Sequence, residues 1–430
     1  MSKVFIADKQ TLDDCKALIE ACNVSINKCY SFLNDDEDGG AYYGFIEHMD
    51  VLSPTSRIEY IGKNIDFTPI SLNKATGVMN LNSWADFPII TENKPYMVHS
   101  DGTIDYELCA TDYTKKVDGV TASDVSSTAY GGGAFSWIKK VYKKEIIQGN
   151  NRIVRFSFEK LYGYEPVGFV DPDGKELEGV WLPMFYGSIH NTKMRSLSGL
   201  QPCYGKTTAE EYAAITAFSS RGAFLGGGIV NTIVDLLIMF AKSTNTQEAY
   251  GYGNCNGYNS SGSPTYGVKS NAVIKGGQFY GTEKKTELNK IFHSIVLGSW
   301  QQWMRDPYTL LVNGSYKISK NYLYDPTGVN YVNTGITIPA TVSAVYPDRY
   351  EVVEGFGAVP IFPYNGSSAT GGCDGFWSKI DITAVARRFG NCTYDLLAGA
   401  RALALNFPAS YAYWDVGAAV LLLPPVGVAA

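Results

Sequence analysis

A chain of 430 residues with 45% hydrophobic and 18% charged residues is long enough for two or three domains and for a real core, with fewer charges than the roughly 25% of typical globular proteins. Lys+Arg 36 against Asp+Glu 42 gives a net charge of −6, which argues against a nucleic-acid partner, because a basic face supplies most of that affinity. Gly 44, Tyr 30, Phe 20 and Trp 7 exclude disorder and describe a loop-rich, aromatic-studded fold.

The opening residues, Met1 to Gln10, lack the basic segment and long apolar core of a signal peptide. The heptad that follows is the sharpest periodic signal. Leu12, Cys15, Ile19, Cys22, Ile26, Cys29 and Leu33 are spaced alternately three and four apart, placing Leu or Ile at one core position and Cys at the other. Thr11-Leu12-Asp13-Asp14 supplies an N-cap and an acidic first turn. Three heptads make a helix of about 33 Å, expected to oligomerise identical chains as a short coiled coil. The alternative is an amphipathic helix lying on its own domain. Of the eight cysteines none forms a C-x-x-C pair, so zinc and thioredoxin-like readings have no support.

From Thr55 the texture turns to strands. Ser56 to Gly62 alternates, Asp66 to Leu72 begins another strand, and Asp101-Gly102 is a turn before Ile104-Asp105-Tyr106. The expected organisation is an attachment helix and linker at 1–54, a small β-rich domain and linker at 55–128, and one large domain at 129–430. In the last, Phe135 to Tyr142 and Arg152 to Phe158 read as paired strands about a turn at Gly149-Asn150-Asn151. Helices are expected at about Thr208–Ser219 and Val230–Lys242, the second with Ile233, Leu236, Leu237 and Phe240 on one face. The Gly/Asn/Ser/Tyr-rich loops of 250–281 are long enough to be functional. The last apolar stretch, Ala418 to Ala430, is broken by Pro424-Pro425 and falls short of the ~18 residues of a membrane span, so no membrane insertion is expected.

Several segments, in order, carry a resemblance. They are Ser56-Arg-Ile-Glu-Tyr-Ile-Gly62, Asn82-Ser-Trp-Ala-Asp86, Tyr96-Met-Val-His-Ser-Asp-Gly-Thr-Ile-Asp-Tyr106, Met194-Arg-Ser-Leu-Ser-Gly199, and Lys242-Ser-Thr-Asn-Thr-Gln247 before Tyr250-Gly-Tyr-Gly253. Together they resemble tail-fibre or receptor-binding proteins of tailed phages and prophages of gut bacteria, over about residues 55 to 425. Gly298-Ser-Trp300-Gln-Gln-Trp303-Met-Arg-Asp306, with Ala398-Gly-Ala400 and Val416 to Pro424, is similar to the C-type-lectin-like fold of formylglycine-generating enzymes and of variable proteins of diversity-generating retroelements. With the heptad helix and the strand pattern from Thr55, the lectin-like resemblance of the C-terminal part leads to an expected α+β molecule: a coiled-coil helix, a small β-rich domain and a loop-rich lectin-like domain. The chain departs from the enzyme pattern, since Arg401 to Asp415 holds no cysteine and Gln301-Gln302 lacks the usual acid. Oxidase activity is therefore not expected.

No catalytic residue is assigned. The four histidines are scattered, no Gly-x-Ser-x-Gly elbow is present, and the glycine runs at 131–133 and 226–228 lack a following Gly-Lys-Ser/Thr. Asp374 stands alone as a calcium ligand in Thr370 to Trp377 and reads better as a turn residue; no metal or cofactor is expected. A binding face is expected instead from Trp377, Arg387, Arg388, Asn391, Tyr394, Asp395, Arg401, Asn406, Tyr411 and Tyr413, since Tyr and Trp give wide contact at low entropic cost. Phe407 and Trp414 are expected in the core. The resulting expectation is a virion fibre or adhesin, a homo-oligomer (expected trimer), joined to other virion proteins by its N-terminus and binding a host-surface glycan or protein. It would be assembled in the bacterial cytoplasm and displayed outside the cell. The alternatives are a structural head-fibre, collar or baseplate component and, less favoured, a glycan depolymerase.

Overall fold

The computed structural model describes residue 16 and residues 41–430, apart from 262–265, 275 and 429. The heptad of Leu12, Cys15, Ile19, Cys22, Ile26, Cys29 and Leu33 lies outside the described residues. The expected α+β class is corrected: the molecule is mainly β, with 32% strand and 12% helix. The reason lies in the turn chemistry, which cuts the chain into short strands and leaves only two described helices longer than five residues, Thr208–Phe218 and Gly228–Ala241.

Residues Tyr43–Ala430 form one compact unit, and the boundary expected at 128 is absent. Pro95–Val98 pairs antiparallel with Gly133–Lys139 across it. Tyr43–His48 pairs with both Ile58–Gly62 and Asn151–Ser157. A four-stranded sheet therefore runs Ile58–Gly62, Tyr43–His48, Asn151–Ser157, Tyr142–Gln148. The turn expected at Gly149 to Asn151 joins Tyr142–Gln148, not the strand holding Phe135, to Asn151–Ser157. Gly133–Lys139 belongs to a second, six-stranded sheet, between Pro95–Val98 and Gly179–Pro183. The same sheet takes in Val420–Leu422, so Pro95–Val98 and a strand near the C-terminus share one sheet.

An eight-stranded sheet supports the C-terminal third. Trp303–Val312 lies between Ser315–Ile318 and Thr383–Arg388. Val416–Gly417 pairs with it in parallel, and Leu403–Leu405 joins Thr383–Arg388 to Phe376–Ser378. Trp300 and Trp303 are fully buried.

At the centre lies the helix Gly228–Ala241, buried on every side and not on one face only, as befits a helix apolar all round. Its one acid, Asp235, is paired within a buried charge network. Arg152 reaches Glu47 (2.9 Å), Glu145 (2.6 Å) and Asp235 (2.5 Å), and Lys143 binds Glu145 and Asp235. Arg57 also binds Glu47, at 2.8 Å. Burial pushes the Glu47 carboxyl up, but Arg401, Arg57 and Arg152 outweigh it and hold the group well below the usual carboxylate range. A network of this kind stabilises only while complete, because removing one partner strands a buried charge at a cost of roughly 3–5 kcal/mol.

A candidate ligand-binding ridge

Two loops bring six aromatic side chains together at the surface. One is the segment Asn406–Asp415, the other the part of the 250–281 region that carries Tyr258 and Tyr266. Phe407 stacks on Tyr411 at 3.9 Å, Tyr411 lies 6.0 Å from Tyr413, and Tyr413 lies 6.2 Å from Trp414. Trp414 then meets Tyr266 at 5.3 Å and Tyr258 at 5.8 Å. Tyr258, Tyr266 and Tyr413 are exposed and the other three half-buried. Phe407 and Trp414, expected in the core, are thus corrected to members of the ridge. Alternation along 406–414 could not reveal this, because the segment is no strand: its carbonyls are held from outside.

Each loop is positioned by backbone bonds. Thr208 N donates to Ala409 O (2.9 Å), Gly205 N to Tyr413 O (2.9 Å) and Trp303 N to Asp415 O (2.9 Å). In the other loop Asn259 N donates to Tyr266 O (2.8 Å) and Tyr258 N to Cys392 O (3.1 Å). Gly267 is required there, since at φ +123° a Cβ would stand 2.3 Å from Gly257 O. Gln301 clamps the loop base: its Oε1 accepts from Asn254 Nδ2 and Lys269 N, both at 2.9 Å. An acid there would still accept these bonds, but it would lose the Nε2 donation to Lys269 O at 3.1 Å.

Beneath the ridge sits Arg387, 4% exposed. Its guanidinium carbon lies 4.7 Å from the Phe407 ring, 5.3 Å from Tyr411 and 5.2 Å from Trp303. One of its terminal amino groups donates to Asn406 Oδ1 at 2.6 Å. Burial pushes the guanidinium down to about 10, against the attraction of Asp415. Asp415 is itself buried and accepts from Asn391 Nδ2 at 2.5 Å; burial raises its carboxyl despite Arg387 and Asn391.

Of the ten expected binding residues, Arg387, Asn406, Tyr411 and Tyr413 meet at this ridge, and Asn391 supports it through Asp415. Tyr394 is half-buried and packs on Trp303 and Trp377 at 5.5 and 4.9 Å. Asp395 pairs with Lys285 at 2.6 Å. Three assignments are corrected. Trp377 is a buried core residue, 5.4 Å from Trp303. Arg388 is buried against Asp306 at 2.8 Å. Arg401 is spent on Glu47, with contacts of 2.8 and 2.7 Å. All three looked like binding residues because their burial depends on partners distant in sequence. Tyr258, Tyr266 and Asp415 were missed. The length and composition of the 250–281 loops were the signal for the first two; nothing local marks Asp415.

Elsewhere, Asp374 is buried, accepts from Arg401 N at 2.6 Å, and is pushed up to about 8 by burial. Among the described residues no group of three or more His, Cys, Asp or Glu is placed to hold a metal ion. Among them, too, no helix is long and apolar enough to cross a membrane. No family model matches the chain, and no curated protein matches it.

Proposed function

We propose that this chain is a fibre or adhesin protein of a tailed-phage virion, and that it attaches to a molecule of the host surface through the ridge from Phe407 to Tyr258. The observation that carries this reading is the ridge itself: six aromatic side chains from two loops in mutual contact, three of them exposed and three half-buried. Tyr and Trp so placed offer wide, low-entropy contact. The ordered resemblance to phage receptor-binding proteins supports the same reading. Attachment needs no catalytic group, metal or cofactor. The proposal includes a homo-oligomer, expected to be a trimer through Leu12 to Leu33, which joins the particle by its N-terminus. Linked copies let a weak single site suffice, because each raises the effective concentration of the next.

The test is binding of the labelled full chain to host cells, with infection challenged by the same protein. Saturable binding that blocks infection is expected. No binding by the full-length oligomer would overturn the reading in favour of a structural virion component. One observation favours that second reading: Val332 is exposed on the sheet-edge strand Val332–Thr337, with Val329 exposed just before it, a place suited to lateral contact.

A further inference from the structure

Between the helix Thr208–Phe218, the strand Gly222–Phe224 and the turn that begins at Asp171 lies a cleft of about 260 Å³. None of the six ridge side chains lines it. Its apolar surface is aromatic: the rings of Tyr308 and Tyr322 meet edge to face at 5.5 Å and 83°, and Tyr212 adds a third ring from the helix. Each wall is fixed in place. Tyr322 Oη donates to Gly168 O, and Tyr308 Oη accepts from Phe224 N at 3.1 Å. Asp171 shapes its own turn, its Oδ1 accepting from Asp173 N at 3.0 Å and Lys175 N at 2.9 Å. Asn321 Nδ2 donates to Pro172 O at 3.0 Å, tying that turn to the segment that carries Tyr322. The charged lining is Asp171, Asp173 and Arg221. Arg221 donates to Leu423 O at 2.8 Å and to Pro424 O, and no carboxylate pairs with it among the described residues. Asp173, Thr216 and Ser220 are exposed and Arg221 is half-buried, so solvent reaches the polar side of the cleft.

We infer that this cleft is a binding site for one uncharged sugar ring. Its volume falls below the roughly 300–1,000 Å³ of sites for drug-sized ligands, which suits a single ring and not a chain. Aromatic walls beside a charged edge call for a ligand with apolar faces and a polar rim. A pyranose has both, its C–H faces packing on aromatic rings, whereas a flat apolar cofactor has no use for the charges. A hydroxyl donates to a carboxylate and accepts from a guanidinium, so one kind of group serves both signs of charge in the same cleft. Two carboxylates and one guanidinium sum to −1 over the lining, which disfavours a uronate or a phosphate, and Arg221 disfavours an ammonium. Asp173 and Arg221 are here the hydroxyl-binding residues, and Tyr212 offers a ring face; Asn321 is a positioning residue that holds the turn. The inference goes beyond attachment through the ridge and does not depend on it.

The experiment is saturation-transfer NMR on the full chain with methyl glycosides of neutral hexoses, 6-deoxyhexoses and N-acetylhexosamines, and with the uronic acids of the same hexoses. At least one neutral glycoside should bind, and its uronate at least tenfold more weakly. Thr216→Trp places an indole in the cleft from an exposed position; it should abolish the signal with an unchanged melting temperature. Should that variant melt early, Ser220→Trp blocks the same cleft from another exposed residue and should have the same effect. Tyr413→Ala, on the ridge, should leave the signal as it is. No transfer to any neutral glycoside, equal binding of the uronates, or a signal that survives a folded blocking variant would each overturn the inference. So would a signal lost in Tyr413→Ala, since that would put the sugar on the ridge. Binding to host cells is a separate measurement, so failure here and failure of the attachment reading are told apart.

Discussion

Lys290 is buried, and its ammonium donates to Tyr113 Oη (2.9 Å) and Ile274 O (2.6 Å), with no carboxylate paired to it among the described residues. Burial pushes it down to about 7. The neighbouring His293, whose Nδ1 lies 2.6 Å from the same hydroxyl, is pushed down to about 3 by burial and then by Lys290. The two groups act in separate pH windows. Between about pH 7 and 10 the unfolded chain keeps its proton on Lys290 while the folded chain has lost it. Unfolding then takes up a proton, so stability rises with pH across that window. Below pH 7 both states carry the proton and the penalty is constant. His293 acts lower: as pH falls through about 6.5 the unfolded imidazole charges and the folded one does not, so stability falls. Lys290→Met should flatten the stability profile from pH 7 to 10, removing a rise on the order of 2–4 kcal/mol, and should shorten the acid limb without abolishing it, because burial still holds His293 down once the Lys290 charge is gone. Urea midpoints measured at one-unit pH intervals check this, and an unaltered alkaline slope would show that the lysine is not the group responsible. The slope is the diagnostic quantity, because the substitution also leaves Ile274 O without its donor.

The helix Thr208–Phe218 shows how a local signal reaches the candidate site. Thr207 and Glu210 form a reciprocal cap: Glu210 N donates to Thr207 Oγ1 at 3.3 Å and Thr207 N to Glu210 Oε2 at 2.8 Å. The next residues tie that cap to the ridge. Thr208 Oγ1 donates to Ala409 O at 3.0 Å, and Glu211 pairs with Arg305, whose guanidinium also donates to Tyr411 O at 3.0 Å. Thr207→Ala should cost about 1 kcal/mol, read as a lower denaturant midpoint, and should speed amide exchange at Thr208 more than in the distant Gly228–Ala241 helix. Equal exchange at both would mean that the cap does not anchor this end. This helix was legible in the sequence because Thr207-Thr208 and the acids Glu210-Glu211 behind them, a cap and an acidic first turn, lie within one window. The same holds for the strand Ile58–Gly62 and the Gly149–Asn150 turn. Which strand Phe135 pairs with was not legible, since Tyr96 is its neighbour across a polar stretch that reads as a linker. Nor was the role of Arg401, whose partner Glu47 is 354 residues away. Half of the ridge was visible as an aromatic-rich segment; the other half comes from a loop brought alongside by the sheet.

At the scale of the chain, the first and last parts of the described unit are not separable. Tyr43–His48 supplies the inner neighbour of Asn151–Ser157, Pro95–Val98 that of Gly133–Lys139, and Glu47 the carboxylate for Arg57, Arg152 and Arg401. A fragment starting at 129, the obvious cut if 55–128 were a domain of its own, would expose two strand edges. It would also leave Arg401 without its carboxylate Glu47 and take one of three acids from Arg152. An uncompensated buried charge costs several kcal/mol, against a total stability of about 5–15 kcal/mol for a typical domain. Residues 129–430 alone should therefore be insoluble or lack a cooperative melt, whereas 41–430 should melt cooperatively, because every strand named above begins after residue 41. If 129–430 melted as sharply as 41–430, the shared sheets would be dispensable and the two-domain division would return. The comparison bears on attachment as well. If residues 12–33 assemble the chains, 41–430 should sediment as a monomer and bind host cells at least a hundredfold more weakly than the full chain, the loss expected when linked sites become single ones. Equal binding by both would place the whole affinity in one ridge.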